Sequence, residues 1–180
     1  MIFDPFKPFL PSDFHVKFAT EKWERHGASA LRRAVFCTEQ GVFTGDDRDE
    51  IDNIAIPIVA VSQLAGTADE VVGTVRIHQP EPGLWWGSRL AVGLPYRRIV
   101  MLGASLIRLA VCSANARGCR TFLAHVQAQN VPLFHRLNWE TLEEVELHGI
   151  VHHRMRADLI AYPPIATPET GFRSFAKRAA

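Results

Sequence analysis

The spacing of hydrophobic residues predicts alternating strands and helices along most of the chain. Apolar residues alternate over residues 14–19, which predicts a strand, and then recur at helical spacing from a predicted N-cap at Thr20 to about Cys37. A long helix is predicted over residues 102–117, where Gly118 ends it. Further strands are predicted at residues 55–62, 71–78, 84–92, 121–127, 139–147 and 150–159, and a short helix at 132–137. This order predicts one α/β domain with a central sheet.

The composition indicates a globular domain and excludes several classes of partner. We expect residues 1–13 to form an N-terminal arm, residues 14–160 the domain, and residues 161–180 a loose C-terminal tail. The net charge of +1 gives no reason to expect a nucleic-acid or membrane-surface partner, and no apolar run is long enough to cross a bilayer. The start lacks the basic n-region of a secretory signal. Three cysteines make a poor disulfide framework, which favours a cytoplasmic location.

The segment over residues 89–107 holds the first candidate binding site. A predicted strand ends there, Pro95 and Tyr96 turn the chain, and Arg97 and Arg98 precede the long helix. A helix N-terminus presents unpaired backbone N–H groups and the positive end of its dipole, and so can bind an anion. From these residues alone, an ordinary strand–turn–helix with two solvated arginines is an equally good interpretation.

Three motifs in this order resemble the GNAT superfamily of acyl-CoA-dependent N-acyltransferases. The family's phosphate loop, Arg/Gln-x-x-Gly-x-Gly/Ala, is similar to the stretch from Arg98 to Gly103, with Met101 in place of the middle glycine. Its fifth-strand pattern, Val-x-x-x-Asn, matches residues 126–130, and its closing motif is similar to residues 134–139. The resemblance covers residues 14–160 and implies a mixed, mostly antiparallel sheet flanked by helices.

A fourth stretch resembles one branch of this superfamily. Residues 31–43, followed by an acidic run over residues 46–52, are similar to GNAT proteins with a Leu-Arg-x-x-Val-Phe-x-x-Glu-Gln signature. The nearest resemblance is to a bacterial branch associated with nitrogen starvation, and a more distant one is to the acyl-homoserine-lactone synthases. The acidic run itself favours a solvated loop, and the alternative is an electrostatic attractor for a cationic amine.

The family resemblance implies an N-acetyltransferase that uses acetyl-CoA as co-substrate and needs no metal. An amine of a small molecule would attack the thioester directly in a ternary complex, inside a gap where the fourth and fifth strands diverge. The implied cofactor-binding residues are Leu90, Ala91, Val92, Arg97, Arg98, Gly103, Ala104 and Asn130.

Proton transfer needs other residues than the usual ones, because Phe134 replaces the family's tyrosine acid and the fourth strand lacks its glutamate. We predict Glu39 as the base, although a solvated loop carboxylate, or a partner for Arg32 or Arg33 at the helix end, is an equal alternative. His125 is a candidate relay, with a structural role as its alternative. His135 or water is a candidate acid, or the thiolate leaves unprotonated, whereas Tyr162 could act only if the tail folded back.

The acceptor side of the gap is predicted from side chains that share strand faces. The candidate substrate-binding residues are Arg76, His78, Gln127 and His153. Trp85 and Trp86 point to opposite faces, so we expect one in the core and the other at the acceptor pocket or at a subunit contact. His152 and His153 also point apart and cannot easily chelate one ion, so no metal site is predicted.

Two other functions remain open from the sequence. One is acyl transfer from a longer acyl-CoA or an acyl-carrier protein, as in autoinducer synthases, for which Arg97, Arg98, Arg117 and Arg120 would form the docking face. The other is a non-catalytic acyl-CoA sensor or interaction module, which the missing tyrosine and glutamate would suit. A small-molecule amine is the expected partner, and the resemblance leaves a homodimer open.

Overall fold

Eight strands form one sheet in the computed structural model, which describes residues 9–176. The strands are β1 (Asp13–Phe18), β2 (Ile56–Leu64), β3 (Thr67–Glu81), β4 (Leu84–Val92), β5 (Thr121–Gln127), β6 (Trp139–Leu147), β7 (Ile150–Ala157) and β8 (Phe172–Phe175). Their order is β6-β7-β5-β4-β3-β2-β1-β8, and neighbours are antiparallel except for β4 and β5, which are parallel. The predicted mixed, mostly antiparallel sheet is therefore confirmed.

The helices cover the two faces of this sheet. They are α1 (Lys22–Arg32), α2 (Val100–Asn115) and α3 (Val131–Arg136). The apolar side of α2, including Leu106, is buried on the main core together with Ile58 and Phe122. On the other face, Ala28 of α1 packs on Val59 of β2. Each such buried aliphatic or aromatic side chain stabilises the fold by about 1.5–3 kcal/mol. No helix within residues 9–176 is both long enough and apolar enough to span a membrane.

The first helix begins one residue later than the sequence predicts and ends in a wider turn. Its N-cap is Glu21, whose backbone N–H donates to Glu24 Oε2 at 2.9 Å. The hydroxyl of the predicted cap, Thr20, instead accepts from Lys17 Nζ at 2.9 Å. At its other end α1 continues into a π-helical segment, Arg33–Glu39. Helical segments of the π type are rare, and those that occur often lie at functional sites.

A bulge in β4 separates this strand from β5. The two strands pair only over Leu84–Gly87 on β4, and the pairing ends beyond Gly87. Arg89 has a left-handed backbone with φ of 56°, and the register between β3 and β4 shifts around it. A bulge bends its strand and increases its twist. The carboxyl-terminal halves of β4 and β5 therefore diverge and leave a gap between them.

The predicted loose tail is wrong for the part of it that the structure describes. Tyr162 is buried, and its hydroxyl accepts from Trp139 Nε1 at 3.0 Å. The backbone oxygen of Tyr162 accepts from Asn115 Nδ2 at 2.8 Å, and β8 adds an edge strand to β1. Aromatic side chains therefore anchor a segment whose prolines suggested a tail. Residues 1–8 of the predicted arm and residues 177–180 lie outside the described residues.

Candidate active site

The gap between β4 and β5 holds a cavity of about 480 Å³. On the α2 face its lining includes Phe122 and Phe134, and on the α1 face it includes Trp86 and His125. The cavity therefore passes through the sheet where the strands diverge. Two reactants could approach the gap from opposite faces, and the volume falls within the range of about 300–1,000 Å³ that is typical of ligand sites.

A buried network of ion pairs forms one side of this cavity. Asp47 is 2% exposed and accepts from Arg32 Nε at 2.7 Å. Arg32 also donates to Asp52 at 2.6 Å, and Arg76 donates to Asp49 at 2.6 Å. Burial alone would raise the pKa of Asp52, but its hydrogen bond from Arg32 and its other partners hold that pKa well below its usual value. Three carboxylates of the acidic run, Asp47, Asp49 and Asp52, are therefore neutralised by the chain's own arginines, whereas Asp46 and Glu50 are exposed.

Arg89 joins this network to the aromatic wall of the cavity. Its Nε donates to Asp47 at 3.0 Å, and its guanidinium lies 4.4 Å from the centroid of the Phe43 ring. The ring of Phe43 in turn contacts that of His148 at the tip of the β6–β7 hairpin, with centroids 4.8 Å apart. A buried ion pair is stable only where its geometry is good and its remaining groups are satisfied. Here the network fixes the loop over residues 46–52 against the sheet.

Histidines line the α1 side of the cavity. The ring of His125 lies 4.9 Å from that of Trp86, centroid to centroid. Burial, with His152 and Arg154 nearby, lowers the pKa of His125, and burial with Arg76 nearby lowers the pKa of His78. Both imidazoles are therefore neutral at neutral pH, and a neutral imidazole can accept a proton.

The start of α2, the helix whose Ile107 and Ala110 line the cavity, presents unpaired backbone N–H groups. Its N-cap, Ile99, makes no side-chain cap hydrogen bond. The N–H groups of Arg98, Val100 and Met101 find no acceptor within residues 9–176. These are the groups of a helix N-terminus that can bind an anion. The chain itself therefore does not cap the predicted anion site.

Arg97 and Glu39, both predicted site residues, form an ion pair with each other. The Nη2 atom of Arg97 donates to Glu39 Oε2 at 2.7 Å, a second hydrogen bond joins Nη1 to Oε1, and Nε donates to Val92 O at 3.0 Å. Arg97 lowers the pKa of Glu39, and Glu39 raises that of Arg97. Glu39 does not line the cavity. Its predicted role as the base therefore has no support from its position.

The cavity brings together some of the predicted site residues and leaves out others. Its lining includes Leu90, Asn130, Arg76, His78, Gln127 and His125. Ala91 is buried against Val35 and Phe36, Val92 is half-buried, and Gly103 and Ala104 lie in the first turns of α2. Gln127 donates to Gln40 across the gap at 2.9 Å, so the end of the π-helical segment contacts the end of β5.

His135 and His153 lie outside the cavity and share a different partner. His135 Nε2 and His153 Nδ1 lie 3.1 Å and 3.3 Å from the hydroxyl of Thr141. The alternation along β7 was predicted correctly, but it is His152 that faces the cavity. The predicted substrate-binding residue His153 does not line the cavity, although its neighbour on β5, Val126, does. The one-turn α3 likewise directs His135 to the β6 side.

Both tyrosines of the chain use their hydroxyls within the fold. Tyr162 does fold back towards the domain, but its hydroxyl donates to the backbone oxygen of Leu137. Tyr96 donates to Glu70 Oε1 at 2.9 Å. Burial raises the pKa of each tyrosine to about 12. Neither hydroxyl is therefore free to protonate a leaving thiolate.

Sequence reasoning missed the ion-pair network, Phe43, His148 and the cavity-facing His152. The local pattern gives no signal for Arg89, because its left-handed backbone and its partner Asp47 depend on tertiary contacts. One available signal was the presence of two arginines, Arg76 and Arg89, at predicted strand positions in a chain that also has an acidic run. The expectation for the tryptophans is confirmed, since Trp85 is buried in the core and Trp86 lines the cavity.

Comparison with known proteins identifies the fold. No family model matches the chain. A Bacillus subtilis (strain 168) protein provisionally named an acetyltransferase is 29% identical over 140 residues, which cover 77% of this chain and 92% of that protein.

Two solved structures extend this comparison. A provisionally named N-acetyltransferase from Lactobacillus plantarum is similar with a TM-score of 0.71 and 21% identity, over 81% of this chain and 98% of the other. An aminoglycoside 6'-N-acetyltransferase complexed with coenzyme A has a TM-score of 0.64 and 15% identity, over 80% and 96% of the two chains. Other similar structures carry the GNAT family name. The chain therefore has the fold of the GNAT acyl-CoA N-acyltransferases, as its sequence motifs predict.

Proposed function

We propose that this chain is an N-acetyltransferase that moves the acetyl group of acetyl-CoA to the amine of a small molecule. The observation that carries the proposal is the cavity through the sheet, with an uncapped helix N-terminus beside it. The curated relative is provisionally named an acetyltransferase, and one structural neighbour is complexed with coenzyme A. The three free cysteines suit a reducing compartment, and we place the activity in the cytoplasm.

The donor would lie along β4 and the start of α2. Beyond Gly87 the edge of β4 that faces β5 is unpaired, so its backbone groups can hydrogen-bond the pantetheine amides near Leu90. The N–H groups of Arg98, Val100 and Met101 would hold the pyrophosphate. The exposed side chain of Arg98 adds a charge-assisted contact to the same phosphates. This placement directs the thioester into the gap.

The acceptor would enter from the α1 face and attack the thioester directly. The amine nitrogen bonds to the carbonyl carbon, the carbon–sulfur bond breaks, and CoA leaves as a thiolate. His125 takes the proton that converts the bound ammonium to the free amine, since it lies at the gap with a lowered pKa. The nitrogen loses a second proton to water when the amide forms. Water protonates the thiolate, because both tyrosine hydroxyls are engaged elsewhere.

A thiol-release assay with acetyl-CoA and a panel of primary amines tests this function. We expect amine-dependent release of CoA and an acetylated product by mass spectrometry. Acetyl-CoA binding without turnover of any amine would instead identify a sensor. Stabilisation against heat by long-chain acyl-CoA alone, and not by acetyl-CoA, would identify a donor with a longer acyl chain.

A further inference from the structure

The half of the cavity on the α1 face is aromatic. We call this half the acceptor pocket and define it by Phe43, His78, Trp86, His125, His148 and His152. Trp86 and His125 pack together at 4.9 Å, and Phe43 contacts His148 at 4.8 Å on another wall. The pocket therefore offers ring faces and ring edges to whatever binds there, and aromatic pairs gain energy beyond the area that they bury.

The charged side chains at the cavity wall are all paired. Within residues 9–176 they are Asp49, Arg76 and Arg89. Asp49 accepts from Arg76 at 2.6 Å and 2.8 Å and from Arg89 at 3.2 Å, and Arg89 also donates to Asp47. A second ammonium group or a carboxylate on the acceptor would therefore lose its hydration without gaining a free counter-charge.

His78 and His125 do not supply that counter-charge at neutral pH, because the pKa of each is lowered. The Nδ1 atom of His78 is buried and has no hydrogen-bond partner among the described residues. A positively charged imidazole would carry a proton there with no acceptor, which is costly in a buried position. Partial burial disfavours a positive charge on His125, and so do His152 and Arg154, whereas Glu143, the ion-pair partner of Arg154, acts in the opposite direction.

Resting on the proposed function, we infer that the acceptor is a primary amine with an aromatic body and no second charged group. Its ring packs between Trp86 and Phe43, and its amine reaches the gap beside His125. The ammonium is then the only charge that the pocket must desolvate, and it is lost on proton transfer. An aminoglycoside, the acceptor class in the name of one structural neighbour, would carry several charges into this pocket.

Four amines test the inference in the thiol-release assay, with 2-phenylethylamine as the reference compound. These are 2-phenylethylamine, 2-cyclohexylethylamine without the aromatic ring, phenylalanine with an added carboxylate, and the polycation kanamycin. We expect kcat/KM for 2-phenylethylamine to exceed that for the cyclohexyl compound by about 2- to 12-fold. We expect it to exceed those for phenylalanine and kanamycin by a factor on the order of 10 or more.

A pair of tryptophan variants locates the effect. Trp86→Leu should bring the ratio between the phenyl and cyclohexyl amines close to one, while CoA binding persists. Trp23→Leu is the matched control, because Trp23 is 43% exposed on α1 and does not line the cavity, and it should keep the wild-type ratio. The four-amine comparison on the unmodified chain decides the question even if Trp86→Leu does not fold.

The outcomes separate this inference from the function on which it rests. Faster turnover of phenylalanine, kanamycin or the cyclohexyl amine would overturn the inference and leave acetyl transfer standing. An unchanged ratio in folded Trp86→Leu would also overturn it. Acetyl-CoA binding without transfer to any amine would overturn both the inference and the proposed function.

Discussion

Replacing Glu39 by glutamine distinguishes two roles for this residue. Glu39 is either a catalytic base or a carboxylate that competes with the pyrophosphate of CoA for Arg97. The carboxylate of Glu39 is paired with the guanidinium of Arg97, which follows β4 in the turn before α2. If Arg97 contributes to pyrophosphate binding, this ion pair must be broken or shared when CoA binds. Glu39→Gln would then release Arg97 for the phosphates and tighten CoA binding.

The size of this effect follows from the exposure of the pair. The side chains of Arg97 and Glu39 are 35% and 37% exposed, so solvent screens their attraction. Exposed pairs of this kind contribute about 0.2–1 kcal/mol, and their loss corresponds to a dissociation constant for CoA that is about 1.4- to 5-fold lower. The gain should shrink at high salt, because surface charges are screened there.

Isothermal titration with CoA and steady-state kinetics measure the two quantities independently. Glu140→Gln is the matched control, because Glu140 forms an exposed ion pair with Arg156 on β6 and β7 and lies away from the cavity. We expect tighter CoA binding and a nearly unchanged kcat in Glu39→Gln, and neither change in the control. A fall in kcat of about 10²- to 10⁴-fold with unchanged CoA affinity would refute this reasoning and identify Glu39 as the base.

Four further substitutions probe the phosphate site, the base, the folded-back segment and the ion-pair network. Arg98→Ala should weaken CoA binding by about 1–3 kcal/mol in titration calorimetry, and an unchanged dissociation constant would argue against the loop placement. His125→Gln should lower kcat by about 10²- to 10⁴-fold. In the unmodified chain we expect kcat/KM to stay constant as pH is lowered past the ordinary histidine pKa of about 6.5, and to fall only when pH reaches the lowered pKa of His125. A fall centred above about pH 6.5 would contradict this role. Tyr162→Phe should cost about 1–3 kcal/mol in urea unfolding and leave kcat unchanged, whereas a fall in kcat at unchanged stability would indicate a catalytic acid. Asp47→Asn should cost about 3–5 kcal/mol by the same method, and a loss below 1 kcal/mol would contradict a structural network. The pKa of Asp52 is lowered in the folded chain, so its contribution to the free energy of unfolding should be fully present above its unfolded pKa of about 3.9 and be lost as pH falls below that value. A free energy of unfolding that does not change with pH in this range would count against the pairing.

The elements that were predictable from the sequence are those in which a local pattern decides the structure. The bounds of β4, β5 and β6 agree with the predicted strands, since alternating residues and turn-forming dipeptides mark both ends. The hairpin at His148 and Gly149 has positive φ at both residues, as such a turn requires. The three family motifs also predicted that the fourth and fifth strands, β4 and β5, diverge, because they occur in the same order as in the family.

The remaining features depend on contacts between distant segments. Arg32, Arg76 and Arg89 come from a helix and two strands, and only the folded sheet brings them to the acidic loop. Burial of Tyr162 likewise depends on Trp139, its hydrogen-bond donor, which is distant in sequence. Of His152 and His153, which lie on opposite faces of β7, only His152 lines the cavity. Periodicity assigns residues to two faces but does not say which face binds the substrate.

A crystal structure of the chain with CoA bound tests the central claim most directly. We predict pyrophosphate oxygens about 2.7–3.2 Å from the backbone nitrogens of Arg98, Val100 and Met101, and the CoA sulfur in the gap between β4 and β5 beside Leu90. CoA bound elsewhere, with these N–H groups facing only solvent and the gap closed by side chains, would contradict the account.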